Sequence, residues 1–262
     1  MPSLPLKPTS EGAPGDAWAG LRRYTAARIA IGRSGGSLPT RETLDFAFAH
    51  AGARDAVLAT LDPASLVSPL RAMGLEVLVL QSAAPDRATF IRRPDLGRRL
   101  ADESAERLRA VGSGIIACDL AIVVSDGLSA LAASRQGPGL LSHLIPRLLD
   151  QGFRLTPVCI VLQGRVGVQD EIGSLLHATM ALTLLGERPG LGVADSLGAY
   201  FVFGPGPGRT DADRNCVSNI RAEGLGPAEA AERLVALLAE ARSRRLSGTA
   251  LKEVVPVPRM AE

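Results

Sequence analysis

From about residue 70 onward, short apolar runs alternate with segments of helical spacing, and few architectures accommodate that pattern. Leu75–Leu80 (LEVLVL), Asp119–Ser125 (DLAIVVS), Arg154–Val166 (RLTPVCIVLQGRV), Ala181–Leu185 (ALTLL) and Ala199–Phe203 (AYFVF) read as five strands. A sheet wetted on one side alternates apolar with polar residues. These runs are nearly continuous, so both faces are expected to be buried. Between them, Arg93-Pro94-Asp95 opens a segment with Leu96, Leu100, Ala105 and Leu108 at near-helical spacing. Leu140, Leu141, Leu144, Ile145 and Leu148 give a second helix, ended by Gly152, and Ile172, Leu175, Leu176 and Met180 a third. Pro227 suits a first helical position, and Ala230, Leu234, Leu237, Leu238 and Ala241 form one face of a last helix. Strands alternating with helices imply an α/β fold, a Rossmann-like, largely parallel sheet covered by helices.

The first part of the chain differs in character. Residues 1–15 carry Pro2, Pro5, Pro8 and Pro14 and read as a flexible leader. Residues 16–68 read as a small helical N-terminal domain. Its first helix holds Leu21, Tyr24, Ala27, Ile29 and Ile31 and stops at Gly32 and Ser34-Gly35-Gly36-Ser37. Thr40 then caps a second helix with Leu44, Phe46 and Phe48, and Ala56–Leu61 gives a third apolar segment. Residues 69–250 form the α/β domain, and 251–262 a loose tail.

Composition excludes several function classes. Of 262 residues, 46% are hydrophobic, enough for a substantial core. A net charge of +2 gives no field to draw nucleic acid or an anionic membrane, and 3% aromatic content leaves no stacking platform for single strands. No apolar run approaches the ~18 residues of a membrane span. Cys118, Cys159 and Cys216 are widely spaced without a CxxC pair, which fits a reducing cytoplasm. A P-loop is missing. Gly112-Ser113-Gly114 with Ala117 matches GxGxxA but follows a helix and precedes a strand, the reverse of a dinucleotide site. Gly204-Pro205-Gly206-Pro207-Gly208 lacks the free amides of a phosphate loop and reads as a linker or lid. His50, His143 and His177, in helical segments, have no partner at metal-ligand spacing, so no metal site is expected.

Ligands of open α/β sheets bind beyond the carboxyl ends of strands. Three polar clusters are candidates there: Ser125-Asp126-Gly127-Leu128-Ser129, Gly186-Glu187-Arg188-Pro189-Gly190-Leu191-Gly192, and Asp213-Arg214-Asn215-Cys216-Val217-Ser218-Asn219 between the last strand and the last helix. Turn chemistry alone also explains Asp126-Gly127. Glu187 in isolation reads equally as a salt-bridge partner of Arg188 or another arginine.

These clusters gain meaning together with Leu21-Arg22-Arg23-Tyr24-Thr25-Ala26-Ala27-Arg28, Arg93–Leu100 (RPDLGRRL), and Gly164-Arg165-Val166 followed by Asp170-Glu171-Ile172-Gly173. In this order and spacing, over residues 18 to 248, the chain resembles the small (light) subunit of ethanolamine ammonia-lyase. The resemblance implies a lyase that turns ethanolamine into acetaldehyde and ammonia by radical chemistry with adenosylcobalamin. It implies a large barrel subunit as partner and cobalamin lying between the two subunits. Family cofactor contacts carry over to Val166, Glu187 and Cys216, with no catalytic residue on this chain. Val166 and Cys216 can supply apolar contact, and Glu187 can accept from a corrin amide, a charge-assisted bond worth about 1.5–3 kcal/mol. No Asp-x-His-x-x-Gly is present, so cobalt is expected to keep the cofactor's own base and take no ligand from this chain. A proline-rich leader disfavours a bacterial microcompartment, though the partner can carry that signal. A purely assembling subunit without ligand contacts is the competing class. A free-standing α/β enzyme lacks the phosphate loop it would need.

Overall fold

The computed structural model describes residues 18–25, 27–116 and 118–251. The leader and all but the first residue of the tail lie outside them. Six strands form one sheet: β1 (Val77–Gln81), β2 (Cys118–Ser125), β3 (Val158–Leu162), β4 (Ala178–Gly186), β5 (Leu197–Phe203) and β6 (Arg214–Ile220), in the order β1-β3-β2-β4-β5-β6. The first four neighbours run parallel, while β5 is antiparallel to both β4 and β6. The α/β, mainly parallel architecture is therefore as the apolar runs indicate. β3 is only the centre of the run expected from Arg154 to Val166; the remainder is loop.

Among the described residues, seven α-helices accompany the sheet: α1 (Thr40–Leu58), α2 (Ala64–Ala72), α3 (Arg87–Arg92), α4 (Asp102–Gly112), α5 (Ala130–Asp150), α6 (Val168–Leu175) and α7 (Pro227–Arg244). One face of the sheet packs α2, α5 and α7 against Leu182, Leu184, Ala199, Phe201 and Val217. The other packs α4 and α6 against Ala121, Val123, Val161, Ala181 and Val202. Strands β1 to β4 are thus sandwiched, which is why their sequences are apolar at successive positions.

Several expectations are corrected. The helix expected from Leu21 to Ile31 is a single 3-10 turn, Ala19–Tyr24; the chain beyond it is irregular, and Ala30 and Gly32 have positive φ. Thr40 is the first helical residue of α1, with Pro39 before it and no side-chain cap. Ala56–Leu58 simply ends α1, so there is no separate helix over Ala56–Leu61. Arg93-Pro94-Asp95 leads into a short 3-10 turn, Leu96–Arg98, and the α-helix starts only at Asp102. α2 buries Leu66 and Leu70 in the main core, where Leu251 is buried as well. The largest correction is β6. The segment Asp213–Asn219 is not a loop at the carboxyl ends but mostly an edge strand with one face bare. It buries Arg214, Val217 and Ile220 and leaves Cys216, Ser218 and Asn219 exposed.

Candidate functional site

The ends of β2, β3 and β4 place the loops Ser125–Ser129, Gln163–Gly167 and Gly186–Gly192 along one edge of the sheet. β5 begins and β6 ends at the same edge, because Gly186 pairs with Leu197 and Leu197 with Ile220.

Asp126 organises this edge from inside. It is 1% exposed, and its Oδ2 meets Arg87 Nη1 at 3.2 Å. Its Oδ1 accepts from Gln163 N at 2.8 Å and from Ser125 Oγ at 3.1 Å. Burial holds its carboxyl above the ordinary range, against the pull of Arg87. Arg87 also donates to Gly127 O at 2.7 Å, and Ser125 Oγ accepts from Gly164 N at 3.0 Å. Asp126-Gly127 is therefore more than a turn: it fixes the loop after β3. Gln163 in that loop has φ 54°, an uncommon conformation for a residue other than glycine. Ser129 caps α5, accepting from Ala132 N at 3.1 Å.

Val166 lies three residues after Gln163, half-buried, and its carbonyl accepts from Gln169 N at 3.3 Å. Arg165 is locked beside it. Its amide donates to Gly97 O at 2.7 Å, and its guanidinium lies over the Phe90 ring at 4.2 Å. α6 then ties Val166 to β6. Asp170 and Arg214 form a bidentate pair at 2.9 and 2.6 Å, almost wholly buried. With its amide turned so that the nitrogen faces the carbonyls, Gln169 fits the same junction, donating to Ala181 O and Tyr200 O at 3.0 Å and accepting from Arg214 Nη1 at 3.1 Å.

Beyond α6, no helix among the described residues covers this face of the sheet. Tyr200 of β5 pairs with Thr183 of β4 and with Cys216 of β6. Tyr200 is half-buried and Cys216 exposed. Glu187, at the end of β4, leans over the same patch. Its Oε1 lies near Gly198, and its Oε2 accepts from the Ser196 hydroxyl and from Asn219 N at 3.4 Å. Among the described residues, neither Arg188 nor another arginine pairs with it. Glu187 and Cys216, separated along the chain, thus come together around Tyr200. Val166 is linked to them through α6 and makes no hydrogen bond to either. Tyr200, Ser196 and Gln169 are parts of the site that sequence reasoning did not single out. Tyr200 sits inside an apolar run, and only the strand register shows that it faces the bare side.

A family model of ethanolamine ammonia-lyase light chains (EutC) matches residues 15–252. The chain is similar to the ethanolamine ammonia-lyase small subunit of Azotobacter vinelandii, 56% identical over 93% of this chain and 90% of the relative. It is also similar to the small subunits of Xanthomonas campestris pv. campestris, 52% identical over 94% and 90%, and of Pseudomonas fluorescens, 52% over 95% and 91%. The chain belongs to the ethanolamine ammonia-lyase light-chain family. The light-chain name makes it one subunit of a lyase and implies a larger partner. Among the described residues, no three His, Cys, Asp or Glu side chains gather as a metal site, and no helix is long and apolar enough to cross a membrane. His177, expected in a helix, stands in the turn before β4 at φ 54°. A cleft of about 470 Å³ runs beside α6 between Arg98, Arg209 and Arg214. Its carboxylates are already engaged, Asp170 by Arg214 and Glu171 by Leu100 N at 2.7 Å. The open β5–β6 face, with Glu187 Oε1 and the Cys216 thiol at its margin, is the better ligand surface.

Cys216 gives this face a measurable signature. Desolvation raises its thiol to about 11, the charge of Glu187 adds to that rise, and the Tyr200 hydroxyl opposes it. The thiolate is the nucleophile, so alkylation of Cys216 in this chain is expected to be slow at pH 8 in spite of exposure. Its rate should climb without levelling until the pH nears 11. Iodoacetamide labelling followed by mass spectrometry checks this. A rate that levels off below pH 9 contradicts the suppressed thiolate.

Proposed function

We propose that this chain is the small half of an adenosylcobalamin-dependent ethanolamine ammonia-lyase, which converts ethanolamine to acetaldehyde and ammonia together with a large subunit. The observation that carries the reading is the convergence of Glu187 and Cys216 on the bare β5–β6 face, beside the edge that carries Val166. A broad, partly apolar disc fringed with amides needs open apolar surface and a few well-aimed polar groups. The face offers both. Val166 and Cys216 supply apolar area, and Glu187, held on one oxygen by Ser196 and Asn219, keeps Oε1 for an amide N–H. When bound, the cofactor supplies a weak Co–C bond whose cleavage starts the radical rearrangement. Val166, Glu187 and Cys216 would seat and orient it. The assembly is placed in the cytoplasm.

The N-terminal part supports the partner. α1 buries none of its nineteen residues. Leu44, Phe46, Phe48 and Leu58 on it are exposed, as are Trp18, Tyr24 and Leu38 nearby. So much exposed apolar surface marks a protein interface. The same observation favours the second reading, a subunit that only stabilises its partner.

Acetaldehyde release from ethanolamine, measured with adenosylcobalamin, decides between them. Activity is expected only when this chain and the large subunit are combined. Glu187→Gln is expected to weaken cobalamin binding by the mixture about tenfold, the worth of a hydrogen bond to a charged group. Unchanged binding in Glu187→Gln and Cys216→Ala, with full activity, would establish the purely assembling role. Inactivity of a well-folded, co-purifying mixture would overturn the lyase reading for this pair of chains.

A further inference from the structure

We propose that Tyr200 is a further cofactor-contact residue, its ring and hydroxyl forming the middle of the surface on which this chain meets cobalamin. The proposal rests on the reading above and adds to it a residue between Glu187 and Cys216.

The chain has only two tyrosines, and Tyr200 stands on the open side of the sheet. Its strand neighbours Ala199 and Phe201 point into the main core on the opposite side. α6 covers this side only as far as Val202 and Arg214. Tyr200 is the first large side chain beyond that cover.

Gly198 sets its pose. A Cβ at Gly198 would lie 2.7 Å from Tyr200 Cε2, 3.1 Å from its hydroxyl oxygen and 3.0 Å from Glu187 Oε1. The ring therefore leans back over bare backbone toward Glu187, and only glycine leaves room for that approach. Ring, hydroxyl and carboxylate converge on one shallow seat.

The polar atoms of the seat complement an amide. Burial first, then the nearby Cys216 and Glu187, hold the Tyr200 hydroxyl above its ordinary value, so it stays a donor, shared with the Cys216 sulfur beside it. Glu187 Oε1 accepts. A primary carboxamide presents a carbonyl that takes a hydrogen bond and an N–H that gives one. Side by side, the tyrosine and glutamate match both. The ring adds flat apolar area at low entropic cost, as aromatic residues do at recognition surfaces. Cys216 widens that area on the far side. A disc edged with carboxamides fits this pattern of one donor beside one acceptor on a flat apolar ring.

The test uses the complete two-subunit complex and cyanocobalamin as probe, with binding read by ultrafiltration and absorbance and assembly read by thermal melting and size. Tyr200→Phe keeps the ring and removes one hydrogen bond, so affinity is expected to fall about 3- to 10-fold. The melting point and subunit ratio should remain unchanged. Tyr200→Ala, which removes the ring as well, is expected to lose more than Tyr200→Phe. Gly198→Ala should weaken binding by displacing ring and carboxylate together. If the wild-type complex binds the probe and Tyr200→Phe binds it equally well with unaltered melting, Tyr200 is no contact and the proposal fails while the cobalamin reading stands. If the wild-type complex binds no cobalamin, that reading itself fails and takes this proposal with it.

Discussion

Arg214→Ala is expected to cost this chain about 3–5 kcal/mol of folding stability, the usual penalty for stranding one partner of a buried ion pair. The Arg214 side chain is 3% exposed and Asp170 12%. Two hydrogen bonds of 2.9 and 2.6 Å join them across the α6–β6 junction. Removing the guanidinium leaves the Asp170 carboxylate without its main partner and deprives Gln169 of the donor that its amide oxygen meets. The exposed pair Arg93–Asp95, at 2.7 Å and with both side chains more than half exposed, is the control. Arg93→Ala should unfold at the same denaturant concentration as the wild type, because solvent screens such pairs and their ordering offsets the attraction. Replacing both Arg214 and Asp170 with apolar residues should cost less than the single change, since no charge is then left stranded. Denaturant unfolding of the three variants measures this. A single variant as stable as the wild type would mean that α6 is not clamped to β6 by this pair. The clamp matters for function as well, because Arg214 lies two residues before Cys216 on the same side of the strand.

What was legible in the sequence follows from what surrounds each residue. β2, β3 and β4 were visible because burial on both faces makes them apolar at successive positions. β6 was not, since an edge strand with one bare face carries polar residues such as Asn215 and Ser218 and mimics a loop. That error concealed the geometry of the site. As loop residues, Glu187 and Cys216 have no reason to meet; as residues flanking β5 they must. The resemblance supplied Val166, Glu187 and Cys216, but neither it nor the apolar pattern pointed to Tyr200, whose direction depends on strand register and on the reach of α6. Asp126 shows a further limit. Its Asp-Gly context signals a turn, while its pairing with Arg87, 39 residues earlier in the chain, is a tertiary fact. The N-terminal segment misled for another reason. Helical spacing between Leu21 and Ile31 presupposes something to bury the apolar stripe, and this chain buries none of Ala19–Tyr24.

Gly186→Ala is expected to damage both stability and the cofactor face, because the carboxyl ends of β2 and β4 meet backbone to backbone. A Cβ at Gly186 would stand 2.1 Å from Ser129 O and 2.4 Å from Asp126 O. Neither is the tip of a flexible side chain. The same contact is closed from the other direction by Gly127, at φ 50°, whose own Cβ would lie 2.4 Å from Gly186 O. Leu128 N donates to that oxygen at 2.9 Å. Relief requires β4 to move away from the Asp126 loop, at roughly 3 kcal/mol, the upper end of ordinary overpacking costs. Glu187 is the next residue, so the same movement carries its carboxylate off Ser196 and away from the Tyr200 seat. Gly192→Ala, in the same loop with open space around it, should melt like the wild type. Melting curves and cyanocobalamin binding of the two variants in the assembled complex separate the effects. Loss of both in Gly186→Ala, with neither lost in Gly192→Ala, is the expected result. A Gly186→Ala complex that melts and binds normally would show that the two strand ends are not locked together, and that Glu187 owes its position to Ser196 and Asn219 alone.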